Sequence, residues 1–206
     1  CHNADSWQIN ERDMRSADDI LNHALRYRPY WGEEGGITVS GGEPLLQIDF
    51  LIELFTKAKA MHIHTCIDTA GEPFTKEPEW FAKFNQLMEV TDLLLVDIKH
   101  IDTRKHIRLT GKSNENIIEM FHYLDRINKP VWIRQVLVPG WTDDEEDLRK
   151  TRAFIDSLHN VQKTEVLPYH SLGAYKWEKL GITYPLEGVS PASDEDVEKA
   201  KNILGI

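Results

Sequence analysis

The segment SGGEP, residues 40–44, places two glycines and a carboxylate directly after a short apolar run. Gly41 and Gly42 allow a ligand to approach the backbone closely and leave amide and carbonyl groups free to pair with it. The carboxylate of Glu43 suits an ammonium group, such as that of an amino acid. A simple strand-to-helix turn with a solvated glutamate explains the same residues, and the glycine pair by itself favours that simpler interpretation.

A second set of polar residues, Asp68, Thr69, Asp97 and Lys99, follows two other apolar runs. Two carboxylates, a hydroxyl and an ammonium group can together hold a ribose diol, a carboxylate or a small hard cation. An ion-pair network that fills the mouth of a barrel accounts for them equally well. His170, after a further apolar run, either faces a planar ring or simply ends a strand, and a lone histidine favours the second interpretation.

The remaining candidates for metal or nucleophilic chemistry are weaker. Cys66 lies inside an apolar run, where a small buried thiol is much more common than a ligand. His62 and His64 fall on one face of a strand, but no carboxylate or cysteine is evident near them. We therefore predict no zinc site.

Short apolar runs alternate along the chain with segments of helical periodicity, a pattern typical of βαβ units and a parallel sheet. The predicted strands cover residues 36–39, 63–67, 93–96, 131–138 and 165–170. Apolar residues at helical spacing predict helices at 48–55, 79–88 and 117–127, and a polar connection is predicted at 102–114. Thr142 and Ser193 are predicted N-caps of two further helices, and Glu145 stands at the capping-box position after Thr142.

The polar candidates recur at the carboxyl ends of the predicted strands. Glu43, Asp68, Asp97 and His170 each follow a different strand, and Arg134 lies within another. In a barrel of parallel strands these ends converge on one face, where barrel enzymes carry their active sites. Recurrence at four strands is hard to attribute to packing alone, so we expect these side chains to form one site.

The composition argues against several classes of function. The chain has 206 residues, a net charge of −10 and a pI near 5.4, and it has no basic stripe for a nucleic-acid backbone. No apolar run approaches the ~18 residues of a membrane span, and the opening residues do not resemble a signal peptide. Two cysteines are too few for a disulfide framework. We expect one cytosolic domain, residues 1–206, without repeats.

The first residues, Cys1-His2-Asn3, resemble the end of the CxxxCxxC signature of the radical S-adenosylmethionine (SAM) superfamily, with Cys1 as the third cysteine. Together with SGGEP, the resemblance extends over essentially the whole chain to the family that activates glycyl-radical enzymes. It rests on further segments in the same order: CHNADSW (1–7), HTCIDT (64–69), VDIK (96–99), VWIR (131–134), VPGW (138–141) and LPYH (167–170). One short motif would be weak, but seven in order are strong.

The resemblance implies an α/β fold, a partial parallel (βα)6 barrel that lacks its first strand in this chain. In this family three thiolates hold three irons of a 4Fe–4S cluster, and SAM binds the fourth iron. Cys1 is therefore implied as a cluster ligand, and the two preceding cysteines are absent. We expect a chain truncated at its N-terminus, which binds SAM weakly and does not catalyse.

The resemblance also implies a SAM site, residue by residue. Its implied members are Asn3, Gly41, Gly42, Glu43, Asp68, Asp97, Lys99, Arg134 and His170. Residues 41–43 match those that bind the methionyl ammonium. Asp97 and Lys99 match residues around the ribose and carboxylate, Arg134 matches a position near the sulfonium, and His170 matches one beside the adenine.

Catalysis and cation binding are implied by the same comparison. Cys1, Lys99 and Arg134 are the implied catalytic residues. A monovalent-cation site next to the SAM carboxylate is implied at Asp68, Thr69 and Asp97. Residues 100–111 correspond to a loop expected to move when the protein substrate docks.

The implied reaction is one-electron reduction of SAM by the cluster, which gives methionine and a 5′-deoxyadenosyl radical. That radical removes a hydrogen atom from a glycine Cα in the glycyl-radical loop of the target enzyme, which is thereby switched on. The implied partners are pyruvate formate-lyase and a flavodoxin or ferredoxin-type reductant, with neither nucleic acid nor membrane. The chain is expected to be a monomer.

Three alternatives stay open. Another glycyl-radical enzyme is one alternative target, although several sister activases carry a cysteine-rich insert, and no cysteine lies between Cys1 and Gly41. The truncated chain is alternatively an inert module that docks on a glycyl-radical enzyme. A cofactor-free aldolase-type barrel needs a Schiff-base lysine inside an apolar strand, whereas Lys99 follows an aspartate in a polar cluster.

Overall fold

The computed structural model describes residues 6, 14–32 and 35–206. Parallel strands form one sheet, in which the spatial order is the order along the chain. The five strands are β1 Gly36–Val39, β2 His64–Thr69, β3 Leu93–Asp97, β4 Val131–Leu137 and β5 Val161–Pro168. In a barrel, each new strand is added next to the previous one on the same side of the sheet. In a doubly wound sheet, by contrast, the direction in which strands are added reverses once. The predicted α/β fold, a partial parallel barrel, is confirmed.

The described residues also form eight α-helices, most of which connect successive strands. They are α1 Ala17–Leu25, α2 Ile48–Ala60, α3 Pro78–Glu89, α4 Thr103–Thr110, α5 Glu115–Arg126, α6 Glu145–Asp156, α7 Ala174–Lys179 and α8 Asp194–Leu204. Among these helices, none is both long and apolar enough to cross a lipid bilayer. Ser193 caps α8 through a complete capping box, as predicted.

The alternation of side chains along each strand separates the core from the site. In β4, Val131 and Ile133 are fully buried in the core between sheet and helices, whereas Trp132 and Arg134 alternate with them on the opposite face. The same alternation buries Ile67 and Val96 and leaves the next residue of each strand, an aspartate, half-buried. That opposite face is the interior of the partial barrel, and it carries the polar candidates.

An aromatic cluster holds α3 and α5 on the outer side of the sheet. The ring centroids of Phe74 and Trp80 each lie 5.2 Å from that of Phe84, and the ring of Tyr123 lies 6.0 Å from it. Phe84 is fully buried and contacts the other three rings. It is therefore a central residue of this cluster, together with Phe74, whose ring also lies against Trp80 and Tyr123.

Several elements differ from the sequence prediction: α1 and α7 were not predicted, β2 ends at Thr69 and not at residue 67, and α4 and β5 differ most. Helix α4 occupies residues that were predicted to be a polar connection. The helix lacks the apolar periodicity on which the prediction depended, because its buried residue is His106 and not an aliphatic side chain. Strand β5 begins at Val161, four residues before the predicted start. Its first residues include the exposed polar Gln162 and Lys163, and a register shift against β4 interrupts the alternation that a strand prediction needs. The predicted mobile loop at 100–111 therefore contains a capped helix.

The start of α6 also differs from its prediction. Asp144 is the N-cap, and its side chain accepts a hydrogen bond from the backbone N–H of Asp147 at 3.1 Å. The hydroxyl of Thr142, the predicted cap, instead donates to the carbonyl of Val136 at 2.7 Å and accepts from the N–H of Val138 at 2.8 Å. Thr142 thus secures the turn that follows β4.

Replacing Phe84 with alanine should lower the free energy of unfolding by about 3–5 kcal/mol, because a buried ring leaves a cavity. Leu172→Ala is the matched control, since this side chain is 76% exposed. We expect the control to stay within about 0.5 kcal/mol of the wild type. Denaturant unfolding followed by circular dichroism measures both variants. Equal stability of the two variants would contradict the central position of Phe84.

Candidate active site

Charged side chains from neighbouring strands meet at the carboxyl edge of the sheet. Arg134 on β4 stands beside Asp97 in the β3–β4 register, and Asp68 lies on β2. Nη2 of Arg134 forms an ion pair with Asp68 and lies 3.2 Å from Oδ1 of Asp97. Nζ of Lys99 donates to Oδ2 of Asp97 at 2.7 Å. We call these contacts, from Asp68 through Arg134 and Asp97 to Lys99, the ion-pair row.

The ion-pair row balances two carboxylates against two cations where water has little access. The side chains of Arg134 and Asp97 are 17% and 16% exposed, and that of Lys99 is 34% exposed. Burial by itself lowers the pKa of the Arg134 guanidinium, but the adjacent Asp97 and Asp68 carboxylates outweigh this effect and raise the pKa. Arg134 therefore stays charged and holds together two carboxylates that would otherwise repel each other.

One buried donor in the row lacks an acceptor. Nε of Arg134 is buried and has no hydrogen-bond partner within the described part of the chain. Buried N–H groups are almost always paired. An oxygen atom of a bound ligand is the kind of acceptor that this N–H needs, so the row has the character of a binding site and not only of an internal salt bridge.

Glu43 joins two connections at this edge and is not the solvated residue of a simple turn. Its Oε1 accepts from the N–H of Leu45 at 3.0 Å and from the hydroxyl of Thr69 at 2.5 Å. Its Oε2 accepts from the N–H of Ala70 at 2.9 Å. Burial raises the pKa of Glu43, and these hydrogen bonds offset part of the rise. The carboxylate thus ties the connection after β1 to the connection after β2, and we call this contact the Glu43 clamp.

The two glycines before Glu43 are required for different reasons. Gly41 has a φ of 143°, a conformation that residues with a side chain rarely adopt. A Cβ atom on Gly42 would lie 3.1 Å from the carbonyl oxygen of Ser6. The backbone of Ser6 therefore lies close to the glycine segment. Cys1 and Asn3, the site residues expected nearest to it along the chain, lie outside the described residues.

The other predicted site residues are placed as follows. His170 is exposed and lies just beyond β5, at the same edge as the ion-pair row. The hydroxyl of Thr69 is used by Glu43 and also accepts from the N–H of Gly71 at 2.8 Å. Cys66 is buried, and burial raises the pKa of its thiol, as expected for an unreactive cysteine.

The implied monovalent-cation site stays a prediction. Across the described ranges, no group of three or more His, Cys, Asp or Glu side chains is arranged to hold a metal ion. The guanidinium of Arg134 lies against both Asp68 and Asp97, and the hydroxyl of Thr69 is directed to Glu43. A bound cation at these residues would have to share the carboxylates with Arg134.

The structure also contains a polar cluster next to the row, with a buried aspartate and a buried histidine, that the sequence does not reveal. Asp147, 5% exposed, forms an ion pair with Lys105 of α4 and lies 3.4 Å from Nε2 of His100. Nδ1 of His100 accepts from the N–H of Asp102, the N-cap of α4, at 3.0 Å. We call Asp147, His100 and Lys105 the α4 anchor. Nothing in the sequence marks Asp147, because an acidic residue in the first turn of a helix is common and usually exposed.

Comparisons with known proteins identify the family to which this chain belongs. The sequence model of the radical SAM superfamily matches residues 1–151. The pyruvate formate-lyase-activating enzyme of Listeria monocytogenes is 53% identical over 205 residues, which cover 99% of this chain and 83% of that protein. The Streptococcus mutans enzyme of the same name is 50% identical over 206 residues, covering 99% and 78%. A domain of pyruvate-formate lyase-activating enzyme from Bacteroides vulgatus superposes with a TM-score of 0.67 at 26% identity, covering 83% and 93%.

The chain belongs to the radical SAM superfamily and, within it, to the pyruvate formate-lyase-activating enzymes. It is therefore a radical SAM oxidoreductase, and this superfamily works with a 4Fe–4S cluster and SAM. The described residues fit SAM, which carries an ammonium, a sulfonium, a carboxylate and ribose hydroxyls. The carboxylates of the row can accept hydrogen bonds from the ammonium group of SAM. Lys99 and the unpaired N–H of Arg134 can donate hydrogen bonds to its carboxylate and hydroxyl oxygens.

Glu43→Gln should loosen both connections that the Glu43 clamp joins, because an amide nitrogen cannot accept the hydrogen bond from Ala70. We expect faster amide hydrogen exchange at Leu45 and Ala70 and a loss of about 1–3 kcal/mol in the free energy of unfolding. Glu53→Gln, an exposed change of the same type on α2, is the control. Unchanged exchange at both amides in Glu43→Gln would show that the clamp does not restrain these connections.

Lys105→Met should raise the pKa of His100. In the wild type, burial and the charge of Lys105 lower the pKa of His100, whereas the carboxylate of Asp147 raises it. Without Lys105, the attraction of Asp147 for a protonated His100 is no longer opposed by that charge. Because the folded pKa lies below the unfolded one, stability falls as the pH drops below about 6.5, and the variant should show a smaller fall. Histidine ring titration by NMR measures the shift.

Lys112→Met is the matched control for this titration. Lys112 belongs to the same connection but pairs with Glu72 at 3.3 Å, away from the α4 anchor. The pKa of His100 should not change in the control. A pKa that also stays constant in Lys105→Met, or falls, would show that Lys105 does not act on His100.

Proposed function

We propose that this protein activates pyruvate formate-lyase by reductive cleavage of SAM and removal of a hydrogen atom from a glycine of the lyase. The observation that carries the proposal is the ion-pair row, because its carboxylates, its cations and the unpaired N–H of Arg134 complement the polar groups of SAM. The relatives that match nearly the whole chain at 50–53% identity bear the name of this activity.

When bound, the 4Fe–4S cluster and SAM supply a one-electron cleavage to methionine and a 5′-deoxyadenosyl radical, which takes a hydrogen atom from the glycine Cα. The chain's own part is to hold and orient the reactants. Cys1 is proposed as a cluster thiolate and Asn3 as a SAM contact. His170, exposed at the same edge, is proposed to lie beside the adenine.

Within the row, each charged group has a distinct part in binding. Asp97 and Lys99 are proposed to hold the ribose and the carboxylate of SAM. Lys99 is the most exposed member of the row, so it can turn from Asp97 to the ligand while Arg134 continues to neutralise Asp97. Arg134 then donates its free Nε–H to a ligand oxygen near the sulfonium. This exchange keeps the number of opposite charges balanced when SAM binds.

The ammonium of SAM is proposed to bind at the backbone of Gly41 and Gly42, with Asp68 next to them. Glu43 supports this position indirectly, because its carboxylate is already engaged by Leu45, Thr69 and Ala70. The clamp sets the distance between the glycine segment and Asp68. Glu43 is thus proposed as the residue that shapes the ammonium site.

A cation–π contact lies below the row, on the interior face of the sheet. Trp132 lies on the same face of β4 as Arg134, and Nζ of Lys163 on β5 lies 4.7 Å from the centroid of its ring. Lys163 also forms an ion pair with Glu165 at 2.5 Å. These side chains cover part of the interior face of the sheet beneath the site, although Lys163 keeps 48% of its side chain exposed.

Several further expectations rest on this proposal and stay predictions. They are a flavodoxin or ferredoxin-type electron donor, a monomeric protein, a cytosolic location and a monovalent cation at Asp68, Thr69 and Asp97. Activation of a different glycyl-radical enzyme is the alternative function. It differs from the proposal only in the protein that receives the radical.

Asp97→Asn in the full-length protein, reconstituted anaerobically with iron and sulfide, tests the proposal. The wild type should cleave SAM and produce a glycyl radical on pyruvate formate-lyase, detected by electron paramagnetic resonance. The variant should cleave SAM about 10- to 100-fold more slowly, because a hydrogen bond to a charged group contributes about 1.5–3 kcal/mol. Glu53→Gln on α2 is the control and should match the wild type.

Three results would count against the proposal. A wild-type protein that binds no cluster, or that leaves SAM intact under reduction, has no radical SAM activity. SAM cleavage with a radical on another glycyl-radical enzyme, and none on pyruvate formate-lyase, would favour the alternative target. Wild-type rates in Asp97→Asn would remove the ion-pair row from the mechanism.

A further inference from the structure

Helix α4 and its C-terminal turn carry a positive charge that contrasts with the rest of the chain. Residues 103–112, TRKHIRLTGK, contain four basic residues and no acidic one, although the whole chain has 24 basic and 34 acidic residues and a net charge of −10. The basic residues are Arg104, Lys105, Arg108 and Lys112. All four are exposed.

The four basic side chains differ in whether they form an ion pair. Lys105 pairs with Asp147 and Lys112 with Glu72. Arg104 and Arg108, by contrast, form no ion pair with any described residue, and the guanidinium of Arg108 lies over the ring of Trp141 at 5.0 Å. Acidic residues outnumber basic ones on this protein, and yet these two arginines pair with none of the described carboxylates. Both arginines are therefore available to a carboxylate of another molecule.

An apolar side chain lies between the two arginines. Ile107 is 46% exposed, and Arg104 and Arg108 flank it on the helix. An apolar residue surrounded by arginines is the composition of a protein-binding surface, in which arginine is enriched.

The helix is held rigidly from its buried side. Lys105 is tied to Asp147, and Nδ1 of His106, which is 3% exposed, donates to the carbonyl of Lys112 at 2.8 Å. The amide of Asn114 donates to the carbonyls of His100 and Ile101 at 3.0 and 2.9 Å. A surface that is ordered before binding loses little conformational entropy when a partner docks.

The position of α4 relates this surface to the site. The helix begins at Thr103, four residues after Lys99 of the ion-pair row, and so it lies at the carboxyl edge of the sheet. A protein whose glycine reaches that edge comes close to the start of this helix. The four basic residues of this segment, on a chain with a net charge of −10, are too few for a nucleic-acid backbone, which favours a protein partner.

We propose that the exposed face of α4, formed by Arg104, Ile107 and Arg108, is the docking surface for the protein substrate and binds an acidic segment of pyruvate formate-lyase. This inference rests on the proposed function, since it assigns a contact surface to the same substrate. The apolar contact at Ile107 adds to the affinity, and the two arginines steer the acidic segment and fix its register.

The test reverses the charges on α4 in the full-length, reconstituted protein. The variant Arg104→Glu/Arg108→Glu is compared with Arg26→Glu/Arg28→Glu, which makes the same change in net charge on exposed residues that lead into β1 at the opposite edge. We measure the Kd for pyruvate formate-lyase at several salt concentrations and SAM cleavage without the lyase. The α4 variant should bind the lyase at least about tenfold more weakly, with a reduced salt dependence.

The control and a neutral variant make the outcome unambiguous. Arg26→Glu/Arg28→Glu should bind within about twofold of the wild type, and Arg104→Gln/Arg108→Gln should fall between the wild type and the reversal. SAM cleavage without the lyase should be unchanged in every variant, which separates this inference from the proposed function. Wild-type affinity in the α4 variants would overturn it. A second result would also overturn the inference: slower reduction of the cluster by an acidic electron donor together with unchanged binding of the lyase. In that case α4 would be the docking surface for the electron donor.

Discussion

The bridging of Asp68 and Asp97 by Arg134 is the interaction on which the arrangement of the site depends. Two carboxylates on adjacent strands, both largely buried, repel each other unless a cation lies between them. The parallel register places Arg134 beside Asp97 and brings its guanidinium within reach of Asp68 one strand further on. Sheet geometry and charge balance are therefore a single constraint: a change in strand register would remove the cation from both acids at once.

The same physical solution recurs around the edge of the sheet. Each buried carboxylate is satisfied by groups that belong to a different connection, because burying an unpaired charge is costly. Glu43 takes its donors from residues 69 and 70, and Asp147 takes Lys105 from α4. These contacts tie the connections to one another, so polar side chains and not only the apolar core fix the position of the edge that carries the chemistry.

The accuracy of the sequence predictions follows the strength of the local signal. Strand β3 was predicted well, because its first four residues, 93–96, form a continuous apolar run, which is typical of a parallel strand inside a sheet. Helix α4 was missed, since its buried side rests on His106 and its apolar residues are few. Thr142 and Asp144 are both good N-caps. The choice of Asp144 depended on the hydroxyl of Thr142 reaching the carbonyl of Val136, which no local pattern reveals.

By itself, the sequence determined the family, the parallel strand order and the set of polar residues at the strand ends, because these follow from motifs and from periodicity along the chain. Only the tertiary structure decided what each carboxylate does. Glu43, expected to meet a ligand, turns to Thr69 and Ala70, and the acids expected to hold a cation already hold Arg134. The physical reason is that the partner of a buried carboxylate comes from a distant part of the chain. Packing selects that partner, and neighbouring residues in the sequence do not encode it.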